Sequence, residues 1–74
     1  MKRKLYEFSS RVGMNIKLER IKQKIKQEEL AFKANLSRTT LGSIERGESS
    51  PTVETVKSIA DALNIEVHKL FIFS

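Results

Sequence analysis

Residues 27–47, QEELAFKANLSRTTLGSIERG, decide how this chain folds. The first part reads as a helix from about Gln27 to Ala34. Leu30, Ala31 and Ala34 share its inner side, and Glu28 and Glu29 sit where the positive end of the helix dipole favours carboxylates. The last part reads as a second helix from about Arg38 to Arg46. Ser37 is placed to cap it, and Leu41 and Ile44 point inward. Between them Asn35 falls in the turn, at a position where a left-handed backbone costs Gly, Asn or Asp little.

The spacing says how the two helices meet. Ala31 sits mid-helix, where a steeply crossing partner needs a small side chain. Leu41 and Ile44 face back toward it across the turn. On packing grounds this is a helix, a tight turn and a helix, with Arg38, Thr39 and Ser43 left on the outer face of the second.

Working outward, a preceding helix is expected from Ser9 or Ser10, either a plausible N-cap, to Lys24. Phe8, Val12, Ile16 and then Glu19 or Arg20 form one stripe, with Phe8 capping the core. Leu18, Ile21 and Ile25 form an adjacent stripe that takes over packing where Glu19 lies at the core margin. The turn-formers of Glu45–Pro51, ERGESSP, end the central pair. A further helix follows Ser50-Pro51-Thr52 and runs to Asn64, with Val53, Val56, Ile59, Ala60 and Leu63 at helical spacing. Asn64 tolerates the left-handed conformation of a C-terminal cap. A short last helix covers about Val67 to Phe71, with Leu70 and Phe71 closing the core. No segment alternates with period two, so the fold class is all-α, a compact five-helix domain.

Composition bounds the function. At 74 residues the chain is one domain with a small core. Cysteine is absent and His68 is the only histidine, which removes disulfides, thiolate metal sites and histidine zinc sites. There is no Gly-rich phosphate loop and no clustered acid pair, so neither an enzyme nor a cofactor is expected. Lack of cysteine fits a reducing cytoplasm. No apolar run approaches the roughly 20 residues of a membrane span, and MKRKLYEF lacks the apolar stretch of a signal peptide. The net charge of +5 and pI near 9.8 suit a polyanionic partner, although ordinary solubility accounts for them as well.

From Val12 to Phe71 the chain resembles the lambda-repressor-like (Cro/repressor, XRE) helix-turn-helix family. The densest matches are Gln27, Glu29, Leu30, Ala31, Ser37, Leu41, Ile44, Glu45, Arg46 and Gly47, extended by Pro51, Ala60, Leu63 and Leu70. The resemblance implies a regulator that binds double-stranded DNA at specific sequences, such as a stand-alone phage-type repressor or a restriction–modification controller. It implies base contacts from Arg38, Thr39 and Ser43, with the alternative that they are merely solvated. It implies backbone contacts from Gln27, which also helps buttress the recognition helix, and from Lys26, Ser37, Arg46 and Arg20, with Ser50 and Thr52 as further phosphate candidates. Arg20 and Glu45 are expected to form a partly buried structural pair that fixes the recognition helix. The chain departs from the family pattern at four places. Lys24 replaces the usual Gly, which makes the first turn either less tight or mildly strained, Lys26 replaces a capping Ser or Thr, and Glu19 replaces an apolar residue. Gly42 weakens the recognition helix and lets it sit closer to bases.

Residues 1–8 are expected to be a basic N-terminal arm or helix extension, in which Lys2, Arg3 and Lys4 are solvated or reach DNA. Residues 9–74 are the helix-turn-helix DNA-binding domain. Phe71, Ile72 and Phe73 exceed what a small core needs, and suggest a dimer interface; terminal packing on the same chain is the alternative. A homodimer would place two recognition helices one DNA turn, about 34 Å, apart on a palindromic operator. The competing reading is an antitoxin or other protein-interaction module that uses the same domain for autoregulation. No membrane partner and no small-molecule substrate are expected.

Overall fold

A computed structural model describes residues 7–73; Lys2, Arg3, Lys4, Leu5 and Tyr6, and with them most of the expected arm, lie outside the described residues. Among the described residues there are four α-helices, one 3-10 helix and no strand. α1 is Glu7–Lys22, α2 is Gln27–Lys33, α3 is Arg38–Glu45 and α4 is Val53–Leu63, followed by the 3-10 helix Val67–Phe71. α1 packs on α3, α4 and the 3-10 helix. α2 packs on α3 and α4. The core between them holds Val12, Ile16, Leu30, Ala31, Ala34, Leu41, Ile44, Val56, Ile59, Ala60, Leu63 and Leu70.

One device ends all four α-helices. In each, a left-handed residue follows the helix, its N–H bonds three residues back, and the next N–H bonds five residues back. The left-handed residues are Lys24 (φ 60°), Asn35 (61°), Gly47 (74°) and Asn64 (59°). Ile25, Leu36 and Ile65, each following such a residue, turn onto the core. Asn35, Gly47 and Asn64 enter this conformation at little cost, but Lys24 has a Cβ that crowds it. Lys24→Gly is therefore expected to stabilise the fold by roughly 0.5–1 kcal/mol, read as a higher midpoint of urea unfolding; an unchanged or lower midpoint would show that the lysine is not strained.

The N-termini divide into capped and uncapped. Ser37 accepts from Thr40 N at 3.0 Å, and Thr52 accepts from Thr55 N at 3.1 Å. Lys26 stands before α2 and makes no side-chain cap. α1 is already helical at Glu7, so Ser9 and Ser10 lie inside it and do not cap it. Ser9 instead donates to Ser50 Oγ at 3.1 Å, which ties α1 to the loop before α4.

Several expected core positions are at the surface. Leu18 and Ile21 are 55% and 52% exposed, and Met14 joins them. At about 100° per residue these three lie roughly 140–200° round the helix from Ile16. They are therefore opposite the core stripe rather than adjacent to it, and no described element covers them. Phe8 is exposed for the most part and does not cap the core. Val53, at the first turn of α4, is 80% exposed. In the 3-10 helix Leu70 takes the inward direction, and Phe71 is left partly exposed beside Phe8. Glu19 stands at the margin, as a half-buried residue accepting from Gln23 Nε2 at 2.8 Å.

Candidate nucleic-acid interface

The geometry of α3 depends on a side chain it does not contain. Arg20, in the last turn of α1, donates from Nε to Glu45 Oε2 at 2.8 Å and from Nη2 to Glu45 Oε1 at 3.0 Å. Gln27, the first residue of α2, donates from Nε2 to the same Oε1 at 3.0 Å. Arg20 Nη1 also reaches the carbonyl of Ile25 at 3.0 Å, in the turn between α1 and α2. The Glu45 side chain is only 2% exposed and that of Arg20 only 13%. A carboxylate this buried is held by a bidentate guanidinium and one amide, which joins α1, α2 and the end of α3 at one point.

A second close approach fixes α1 on α3. Gly13 is buried in α1, where a Cβ would overlap the carbonyl oxygen of Ile44. The sequence signal for this contact is a glycine inside an otherwise good helix, which costs about 1 kcal/mol unless packing requires it.

The outer face of α3 begins with Arg38 and Thr39. Both are exposed, and their side chains make no hydrogen bond or ion pair among the described residues. Ser43 differs: it is half-buried and donates to Ser49 Oγ at 3.4 Å, so its hydroxyl turns toward the loop after α3. Ser37 is occupied as the cap, where it also donates to Thr40 Oγ1.

Gly42 lies four residues from Arg38 and three from Thr39, on the same face. It is buried, because the Arg46 side chain folds back over it. An added Cβ would stand 3.0 Å from Arg46 Nη1, and 3.5 and 3.6 Å from the Gln27 carboxamide. The space left by Gly42 is thus filled by Arg46 and Gln27 rather than left open toward a ligand. Arg46 Nη2 in turn bonds Glu48 Oε1 at 3.0 Å. That bond holds the Glu48 carboxyl below the usual carboxylate range and raises Arg46 above the usual arginine value. Lys26 is exposed beside Gln27. Of the further phosphate candidates, Thr52 caps α4, and Ser50 accepts from Ser9.

The C-terminal residues pack on their own chain. The Phe71 ring stacks on Phe8 with centroids 5.9 Å apart, and Phe73 meets Phe8 edge-on at 5.4 Å. The Arg11 guanidinium lies 5.8 Å from the Phe73 centroid. Asn15, which gave no signal in the sequence, donates to the carbonyls of both Leu70 and Ile72 at 2.9 Å and clips the tail to α1. Ile72 remains largely exposed. Among the described residues no helix is long and apolar enough to cross a membrane.

This arrangement has relatives. The immunity repressor protein of Bacillus phage phi105 is 46% identical over 56 residues, which span 76% of this chain and 39% of the phage protein. The control protein C.SmaI of Serratia marcescens is 41% identical over 56 residues, 76% of this chain and 67% of that one. The crystal structure of the restriction–modification controller protein C.AhdI from Aeromonas hydrophila superposes with a TM-score of 0.86 at 32% identity, covering 89% of this chain and 100% of that one. The helix-turn-helix family profile matches residues 16–70, the span that holds the buried Arg20–Glu45–Gln27 junction and all of α2, α3 and α4; the chain belongs to the Cro/repressor (XRE) helix-turn-helix family.

Proposed function

We propose that this chain is a DNA-binding regulator of transcription in which α2 and α3 form the helix-turn-helix and α3 enters the major groove. The observation that carries this reading is the buried junction of Arg20, Glu45 and Gln27. It holds α3 rigidly by one end, while Arg38 and Thr39 at the other end stay exposed and unpaired among the described residues. A recognition element needs that combination, because base edges are read only if the helix is held in register on the duplex. Arg38 is assigned to a guanine through O6 and N7, and Thr39 to a thymine methyl. Ser43 is assigned a base contact only after its hydroxyl leaves Ser49. Lys26 and Arg46 are assigned to the backbone, as are Gln27 and Arg20 through the donors their bonds to Glu45 and Ile25 leave over, and Ser37 only after its hydroxyl leaves Thr40 Oγ1. The family and its repressor and controller members support the reading.

The chain acts as a homodimer on a palindromic operator. Met14, Leu18 and Ile21 along α1, and Phe8, Phe71 and Ile72, are large apolar side chains left exposed, and Phe73 packs edge-on against Phe8; apolar side chains exposed in this number suit a self-association surface. Binding to a palindrome requires the two-fold pairing to set two copies of α3 about one DNA turn, roughly 34 Å, apart.

Selection of bound sequences from random duplexes tests the reading. A palindrome should emerge. Arg38→Ala should lose about 1–3 kcal/mol of affinity for it, relaxing preference at one base pair per half-site and leaving sequence-independent binding intact. Binding that stays blind to sequence, governed by salt alone, would rule out specific recognition.

A further inference from the structure

Among the described residues, Arg46 is the cation on the α3 face whose guanidinium already has a carboxylate partner. Nη1 rests over Gly42, next to the Gln27 carboxamide, and Nη2 is bonded to Glu48 at 3.0 Å. Arg38 and Lys26, on or beside the same face, have no such partner among the described residues. The engagement of Arg46 is an exposed one, with the side chains of Arg46 and Glu48 58% and 57% accessible. It therefore exchanges readily with solvent, unlike the buried Arg20–Glu45 pair.

We propose that Glu48 occupies, in the free protein, the place of a DNA phosphate on Arg46, and so acts as a built-in competitor that lowers affinity for any duplex. The proposal rests on the assignment of Arg46 to the DNA backbone. A carboxylate and a phosphate offer a guanidinium the same pair of acceptor oxygens, so one can replace the other without Arg46 leaving its seat over Gly42. Until it is displaced, Glu48 withholds one positive charge from the duplex. Once displaced, its own negative charge stands beside the phosphates. Both effects act on the sequence-independent part of binding, which any duplex supplies. Glu48 thereby lowers affinity for every duplex alike and leaves the difference between sequences to the base contacts.

The test uses the full chain and a mixed-sequence duplex of roughly 20 bp, about two turns. Affinities are measured across a salt series for the natural protein, Glu48→Gln, Arg46→Gln and the double variant. Glu48→Gln is expected to bind roughly two- to five-fold tighter at low salt, with the gain shrinking as salt rises. Its unfolding midpoint should stay unchanged, because the pair is exposed. Arg46→Gln should weaken binding and lower the salt slope by about one. In the Arg46→Gln background the gain from Glu48→Gln should fall to the residual repulsion of one charge. An equal gain in both backgrounds would overturn the competition and leave Glu48 as a plain negative charge. No gain in either, with Arg46→Gln still weakening, would overturn it as well. Arg46→Gln binding like the natural protein would instead remove Arg46 from the backbone contacts, a separate failure of the reading on which the proposal stands.

Discussion

Arg20→Ala should cost this domain about 3–5 kcal/mol of stability, much of what a chain of this size possesses. The loss comes less from the bonds removed than from what stays behind. Glu45, its side chain 2% exposed, would keep its charge in the interior with only Gln27 Nε2 to satisfy it. Arg20 also holds the Ile25 carbonyl, so the turn that positions α2 loosens with it. Arg20→Lys should recover only part of the loss, since an ammonium cannot present two parallel donors to the carboxylate. Replacing both partners with apolar residues of similar volume should restore stability, because no buried charge is then left alone. Urea unfolding of the four proteins measures this. A cost below about 1 kcal/mol for Arg20→Ala would mean the pair behaves like a surface ion pair, contrary to its burial.

Gly13→Ala should be destabilising by about 3 kcal/mol, although alanine is the better helix former by about 1 kcal/mol. The added methyl would meet the Ile44 carbonyl oxygen, with the Ile44 carbonyl carbon at 3.0 Å and Glu45 Cα at 3.3 Å. All three are backbone atoms of α3, and none can rotate away. The two helices must separate, which opens the core around Ile16 and Ile44 and displaces the end of α3 that carries Glu45. Gly42 makes the contrast: its nearest neighbours are the far ends of the Arg46 and Gln27 side chains, which can yield. The check is denaturant unfolding of Gly13→Ala with Gly13→Ser alongside, both expected to lose stability in order of size. A Gly13→Ala variant as stable as the natural chain would mean that α1 and α3 do not cross this closely.

Local conformation was legible in the sequence. Asn35 and Asn64 as left-handed residues, and Ser37 as a cap, depend on atoms within about five residues of each. The inward faces of α2, α3 and most of α4 were legible too, since a helix that packs on one side writes its core at a fixed period. α1 misled for the same reason. Its apolar residues lie on two sides, and periodicity alone does not say which side the core takes. Val12 and Ile16 are buried while Leu18 and Ile21 are not, because Gly13 allows α3 to approach only on one flank. Val53 and Phe71 fell outside for a related reason. Both stand at the ends of elements, where the number of neighbours is set by the rest of the fold.

The sequence by itself therefore determined the α-helices, the cap at Ser37, the left-handed residues Asn35 and Asn64 and the turn between α2 and α3, all consequences of short-range backbone and side-chain chemistry. It also marked Arg20 and Glu45 as partners through likeness to a family. Only the tertiary structure decided that Gln27 buttresses α3 through Glu45 Oε1, that Arg46 fills the space above Gly42 with Glu48 bound to it, and that Asn15 clips the C-terminal residues to α1. Gln27 and Asn15 meet partners far along the chain, and Arg46 and Glu48 meet across the turn that ends α3. Which donor finds which acceptor is settled by how the helices pack, and no local preference encodes it.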